Sequence, residues 1–289
     1  NMNKNISKLN IAFFGSPQFA VYALDELEQH NIVPSLVVTQ PDRPAGRKMQ
    51  LTSPEAKIWA EERNLATFQP EDLRDKETIT ALKDEGPWDI FIVASYGNII
   101  PKEILDIPKH GTLNIHPSLL PKHRGATPLQ AAILEDNETG VTIMLMDEKM
   151  DHGAIVTQEK TKTDTWPVRA SKLEKITAEQ GAKMIANVLD DLIQGKIEPK
   201  EQDHEQATFT KKLTKQDGLI DIENGDPKEN YRKILAYDIF PRAYFFTEKN
   251  GKKIRVVITD ADLIDGKLII TRVIPEGKKE MDYKVFLKE

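Results

Sequence analysis

The 289 residues include no cysteine. That absence excludes disulfide bonds and thiolate metal centres, and with no secretory segment ahead of the first apolar run it points to a cytoplasmic location. No apolar stretch approaches the roughly 20 residues that a membrane helix needs, so no membrane association is expected. Positive charge is not in excess either: 40 basic residues against 46 acidic ones leave a net charge of -6. This argues against a general nucleic-acid coat, and no DNA partner is expected, although a local basic patch aimed at one phosphate-rich end is allowed. Two nucleotide signatures are missing as well. The opening FFGSPQFA holds a single glycine, Gly15, where the dinucleotide fingerprint requires three. There is no GxxxxGK phosphate loop, no internal repeat and no low-complexity segment.

What is present is ordinary for a globular chain, 39% hydrophobic and 30% charged, and long enough for two domains with separate cores. Through the first part of the chain, short apolar runs alternate with amphipathic helical patterns, which predicts an α/β domain. Strands are expected from Leu9, Pro34, Ala66, Asp89, Gly111 and Thr139, and helices from Pro17, Ser53 and Pro128. Ser16-Pro17, Ser53-Pro54 and Thr127-Pro128 each match an N-cap followed by proline, and Thr127 with Gln130 completes a capping box. The polar stretch GKIEPKEQDHEQ reads as a linker. Beyond it the pattern is β-rich, and Asn250-Gly251 and Asp265-Gly266 between apolar runs predict two hairpins in a small barrel or meander. The expected organisation is a first domain over residues 2–194, a linker over 195–206 and a C-terminal β-domain over 207–289.

The residues able to do chemistry gather in two places. In LNIHPSLLPKHRG (113–125), Asn114 and His116 stand two apart at the end of an apolar run. On a strand they share a face, so two hydrogen-bonding groups converge. In MDEKMDHGAIV (146–156), Asp147, Asp151 and His152 with Gly153 make a second polar turn between apolar runs. An Asn, a His and an Asp meeting at strand ends can stabilise an oxyanion, move a proton and orient the imidazole. A metal bound by His116, His123, His152 and Asp151 is the rival reading, without the HExxH spacing of a helical zinc site.

The run from ASYGNIIP to DHGAIV (94–156) and the earlier QPDRPAGRKMQLTSP (40–54) closely resemble the methionyl-tRNA formyltransferase family, and IPEGKKEMDYKVFL (274–287) does so more weakly. The resemblance implies a Rossmann-like formyltransferase domain followed by a small, OB-like β-barrel that helps hold tRNA. It also implies 10-formyltetrahydrofolate as co-substrate and no metal. The family's catalytic Asn, His and Asp fall on Asn114, His116 and Asp151. The implied reaction is attack of the free amine of initiator methionyl-tRNA on the formyl carbon, giving a tetrahedral intermediate whose oxyanion is held by Asn114 and the His116 imidazolium. Asp151 would favour the charged ring and help move a proton through water.

The same resemblance places the folate pocket on the SYGNII turn (Ser95, Tyr96, Gly97, Asn98, Ile99, Ile100), on the SLLP turn (Ser118, Leu119, Leu120, Pro121) and on Asp147. Ile99 and Ile100 are equally compatible with core packing. The QPDRPAGR loop would bring Arg43, Arg47 and Lys48 to phosphates of the RNA acceptor end. Two features depart from the family. Charges from Glu205 onward nearly cancel, with 17 basic and 15 acidic residues, which would confine tRNA contact to a patch such as Lys211, Lys212, Lys215, Lys252 and Lys253. His123 stands where the family often has an aromatic ring. A monomer is left open as the oligomeric state. The rival activities are formyl transfer to a sugar nucleotide or to glycinamide ribonucleotide, which should lack this loop and barrel, and formyl-folate hydrolysis with water as acceptor.

Overall fold

A computed structural model describes residues 8–45, 49–249 and 251–288 of the chain. In chain order the elements are β1 (Ile11–Phe14), α1 (Gln18–Gln29), β2 (Leu36–Val38), β3 (Arg43–Ala45), β4 (Gln50–Thr52), α2 (Glu55–Glu62), β5 (Ala66–Phe68), α3 (Lys76–Asp84), β6 (Ile90–Val93), α4 (Lys102–Leu105) and β7 (Thr112–His116). There follow β8 (Arg124–Gly125), α5 (Pro128–Glu135), β9 (Gly140–Leu145), β10 (Ile155–Lys160), α6 (Ala170–Ile193), β11 (Phe209–Thr210), α7 (Pro227–Ala236), β12 (Tyr244–Lys249), β13 (Lys252–Ile264), β14 (Lys267–Pro275), β15 (Met281–Asp282) and α8 (Tyr283–Lys288).

The chain divides into two compact units. The first takes the residues up to Arg124, Gly140–Thr161 and Lys175–Thr208. The second takes Gly125–Thr139, Lys162–Glu174 and the chain from Phe209 onward. The partition is therefore not the contiguous one expected from the sequence. Leu129 and Ile133 of α5 and Leu173 of α6 are buried with Leu235, Ala236 and Tyr237 of α7, so apolar packing draws those two earlier segments into the second unit. Within the expected linker, Lys200 forms a bridge with Ile155 and Gln202 is buried, while the residues around them are exposed or half-buried.

The first unit is built on a seven-stranded sheet in the order β10-β9-β7-β6-β1-β2-β5. Neighbours from β5 to β7 run parallel, while β9 and β10 are antiparallel at the other edge. The runs IAFF, LVV and IFIV are wholly buried, as parallel strands covered on both faces must be. Alternation sorts them: Ile11, Phe13, Ile90 and Ile92 join one core with Leu24 and Ile185, and Ala12, Phe14, Phe91 and Val93 join the other with Leu105. On β7, Leu113 and Ile115 belong to the first of these cores. Thr112, Asn114 and His116 consequently point to the opposite face. Strand order reverses at β1, with β2 on one side and β6 on the other, and the crevice beyond the carboxyl ends at such a point is where open α/β sheets take ligands.

Two of the three expected helix caps and the expected capping box do not form, because the hydroxyls find tertiary partners. The cap positions of α1 and α2 are Pro17 and Pro54, with no side-chain cap. Ser16 instead donates to the Tyr96 carbonyl at 3.3 Å and accepts from the Gln40 N–H at 3.0 Å, and Ser53 bonds to Asp42. Thr127 does cap α5 by position, but its hydroxyl donates to the Lys211 carbonyl at 2.9 Å and the capping box does not form.

In the second unit β12, β13, β14 and β15 form an antiparallel sheet whose core holds Phe245, Val256, Ile258 and Val273 with Ile234 of α7 and Phe286 of α8. It is the small β-domain expected from the sequence. Asp265 and Gly266 turn between β13 and β14 with φ of 49° and 73°, the positive angles that this dipeptide tolerates. Gly251, with φ of 72°, turns between β12 and β13; Asn250 lies outside the described residues. No described helix is long and apolar enough to cross a membrane.

Candidate active site

Asn114 and His116 occupy the carboxyl-terminal half of β7, paired with Met144 and Thr142 of β9. Both are buried, with 8% and 4% of their surface exposed. The Nε2 atom of His116 lies 3.0 Å from the His123 carbonyl oxygen. A carbonyl can only accept, which assigns the hydrogen to Nε2. The remaining ring nitrogen, Nδ1, is 3.6 Å from Asp151 Oδ1, too long for a hydrogen bond and close enough for attraction once the ring is charged. His116 on β7 and Asp151 in the turn after β9 thus face each other.

That second turn is tightly specified. Asp147 accepts from the Lys149 N–H with Oδ1 at 2.9 Å and meets His152 Nδ1 with Oδ2 at 2.6 Å. The His152 ring stacks on His204 with centroids 3.9 Å apart. A Cβ on Gly153 would sit 1.7 Å from the Leu145 carbonyl oxygen, so only glycine lets the turn pass this close to β9. Ser95, His123 and Asp151 all have φ between 49° and 57°, an uncommon setting for residues with side chains, which the bonds around them must hold in place.

Those bonds come largely from residues that sequence reasoning passed over. Gln202, 5% exposed, donates to the carbonyls of Asp151 at 2.9 Å and Gly153 at 2.8 Å. Its oxygen accepts from the buried Arg124 guanidinium, and Thr208 accepts from the His123 N–H at 2.8 Å. The partners are separated by 49 to 85 positions, and no local pattern announces them. Among the described residues no three His, Asp or Glu side chains converge as a metal would require. His116 and His152 each turn a ring nitrogen to a protein oxygen instead.

At the crevice between β1 and β6, the SYGNII turn is tied to the end of β2. Gln40 donates through Nε2 to the Tyr96 carbonyl at 3.2 Å and accepts from Asn98 Nδ2 at 3.2 Å. Ser95, Gly97, Asn98 and Ile99 are exposed, while Tyr96 and Ile100 are buried. Packing therefore separates two adjacent isoleucines that the sequence left equivalent: Ile99 is 67% exposed and Ile100 lies in the core. The Tyr96 ring stands edge-on to Phe14, its hydroxyl has no hydrogen-bond partner, and burial pushes its pKa up to about 12. It remains a neutral donor.

The SLLP turn is mostly consumed by the fold. Ser118 has no exposed surface, and its hydroxyl donates to the Lys122 carbonyl at 2.6 Å. Leu120 is buried, donates to Thr142 Oγ1 and accepts from Gln158 Nε2. The Pro121 carbonyl accepts from the Thr208 N–H. Leu119 keeps partial exposure and packs over Gly140.

Arg43 begins the β3–β4 hairpin and reaches Glu71 at 3.1 Å, both side chains well exposed, a pairing of little energetic weight. Arg47 and Lys48 lie outside the described residues. At the hairpin base, bonds from Gln69 and then Lys57 hold the Asp42 carboxyl below its ordinary pKa. Of the C-terminal lysines, Lys211 pairs with Asp217 at 3.0 Å and Lys253 lies over the Phe246 ring.

A family model described as Formyl transferase matches residues 9–189. The chain is 44% identical over 280 residues to a methionyl-tRNA formyltransferase of Chloroflexus aurantiacus, covering 92% of this chain and 84% of that protein. Solved structures share the fold. A methionyl-tRNA formyltransferase from Clostridium thermocellum superposes with a TM-score of 0.60 at 18% identity, covering 95% of this chain and 99% of that one. HypX from Aquifex aeolicus, in complex with tetrahydrofolic acid, does so with a TM-score of 0.61 at 18% identity, covering 96% and 47%.

Proposed function

The chain belongs to the methionyl-tRNA formyltransferase family, and we propose that it transfers the formyl group of 10-formyltetrahydrofolate to the free amine of initiator methionyl-tRNA in the cytoplasm. The observation that carries the mechanism is the buried Asn114 and His116 pair on β7, with Asp151 turned toward the imidazole.

The donor supplies an activated one-carbon carbonyl. The exposed Ser95, Gly97, Asn98 and Ile99 offer it a surface, and the orphaned Tyr96 hydroxyl suits a planar ring rich in polar atoms. Asn114 donates a side-chain N–H to the formyl oxygen as negative charge builds there. His116 has Nε2 committed to the His123 carbonyl, so both its donation and its proton traffic run through Nδ1. As the amine nitrogen bonds to the formyl carbon and the bond from that carbon to the donor nitrogen breaks, one proton leaves the amine and one reaches the departing nitrogen. His116 relays it, and the Asp151 carboxylate favours the charged state of the ring in passing. Asp147 acts on the turn through its bonds to Lys149 and His152. Arg43 exchanges Glu71 for a phosphate of the acceptor end, and Arg47 and Lys48, a few positions on in the sequence, supply further positive charge for phosphates.

Incubating the protein with charged initiator tRNA and 10-formyltetrahydrofolate should yield formyl-methionine on the tRNA. Steady release of formate and tetrahydrofolate with the tRNA left unformylated would replace this reading with a hydrolase.

A further inference from the structure

For Asp151 to face His116, two turns must be held: residues 147–153, which carry the carboxylate, and residues 117–124, whose His123 carbonyl orients the ring. One strap, residues 200–208, reaches both. Lys200 exchanges two backbone bonds with Ile155, at 2.7 and 2.9 Å. Gln202 spends both amide hydrogens on carbonyls of the first turn, those of Asp151 and Gly153. Its Oε1 accepts from Arg124 Nη2 at 2.7 Å and Nε at 3.2 Å. The same Nη2 lies 2.8 Å from His204 Nδ1, on the ring that stacks against His152. Farther along, Thr208 accepts from the His123 N–H with its hydroxyl oxygen and from the Arg124 N–H, at 2.9 Å, with its carbonyl.

We propose that Gln202, locked by Arg124, is a positioning residue that sets the Asp151 turn against His116; this rests on the assignment of Asn114, His116 and Asp151 to formyl transfer. A glutamine amide can be seated in two orientations. A guanidinium can only donate, so Arg124 admits only the one with Oε1 toward itself. Nε2 is then aimed at two carbonyls on either side of His152, and the turn has a single backbone setting. Glutamate at this position keeps the pairing with Arg124, as an ion pair, yet has no hydrogen for either carbonyl.

The test is Gln202→Glu, with kcat and the KM for each substrate measured alongside thermal melting. Wild-type turnover on Met-tRNA and 10-formyltetrahydrofolate is the control for the activity itself. The expected result is a folded protein with a lowered melting temperature, because two carbonyls lose their buried donor, both KM values unchanged, and kcat lower by about 10-fold to 100-fold, because a small misplacement near reacting groups costs on this scale. In an Asp151→Asn background the same substitution should change kcat by less than about two-fold, since the group it positions has lost its role. Equal losses in both backgrounds, or an unchanged kcat in folded Gln202→Glu, overturn the proposal. If Gln202→Glu does not fold, Arg124→Lys, which leaves one donor for Oε1, is put through the same two backgrounds with the same outcomes. A wild-type protein inactive on Met-tRNA would refute the activity and not the positioning. In that case the ¹⁵N shifts of the His116 ring decide: Nδ1 moves by several parts per million in Gln202→Glu while Nε2 stays, and an unmoved Nδ1 refutes the positioning.

Discussion

In the first unit Asn114, His116, Arg124 and Gln202 are each more than nine-tenths buried, whereas in the second the buried polar side chains among the described residues are Thr139 and Asn230. The second unit rests several cations on aromatic faces. Arg255 lies over Tyr244 at 3.9 Å, Lys253 over Phe246 at 4.8 Å and Lys249 over Phe286 at 4.1 Å. A buried polar group costs free energy unless it is bonded, and bonding it gives it one direction. The first unit therefore carries fixed donors and acceptors, as transition-state stabilisation demands. Of these cations only Lys253 is exposed; Lys249 Nζ donates to the Phe286 carbonyl at 2.7 Å, and the Nε of Arg255 is buried. The proposed chemistry draws on the polar groups buried in the first unit.

The comparison is broken most directly at the triad. Asn114→Ala, His116→Ala and Asp151→Asn should each lower kcat by about 100-fold to 1,000-fold with melting little changed, because each removes a transition-state interaction. Near-normal turnover in a folded His116→Ala protein would sink the mechanism. A milder probe lies in the second unit, where Ile258→Val trims a buried core residue. It should cost about 1 kcal/mol of stability by denaturant titration and leave formyl-folate binding untouched. Weakened folate binding would mean that the units do not divide the work as described. Smaller again is Arg43→Ala, expected to raise the KM for Met-tRNA a few-fold at unchanged KM for the folate, since the pair with Glu71 is exposed. Equal changes in both would move this loop to the folate side.

The smallest effect concerns pH. In the second unit Asp217 is held at about 2, against an ordinary 3.8, by the Thr214 N–H first and then by Lys211 and the Thr214 hydroxyl. A depressed carboxylate stabilises the folded state fully above its unfolded value, and the contribution is lost as pH falls from about 4 through about 2. Asp217→Asn should therefore be less stable than wild type at neutral pH, with the gap closing by pH 2 in parallel denaturation curves. A gap that stays constant would show that Asp217 acts through its shape and not its charge.

Local signals in the sequence were enough for the strands of the parallel sheet, the Asp265-Gly266 hairpin and the shared face of Asn114 and His116. Each rests on a run of a few adjacent residues: apolar content buries a strand, a two-residue period assigns faces, and a dipeptide tolerates positive φ. The same locality explains the failures. Ser16 and Ser53 have the composition of caps, and Thr127 with Gln130 that of a capping box, but the three hydroxyls bond instead to partners that folding brings up, at Tyr96, Asp42 and Lys211. Ile99 and Ile100 are chemically identical, and only the packing of the turn sends one outward and the other into the core. Gln202 sits in a stretch whose composition spells a linker, and its partners lie 49, 51 and 78 positions away. The amino-acid sequence by itself determined the strands, the turns and which groups could carry the reaction. The tertiary structure alone decided which buried side chains hold those groups in place, because a hydrogen-bond partner is chosen by proximity in space and leaves no period in the chain.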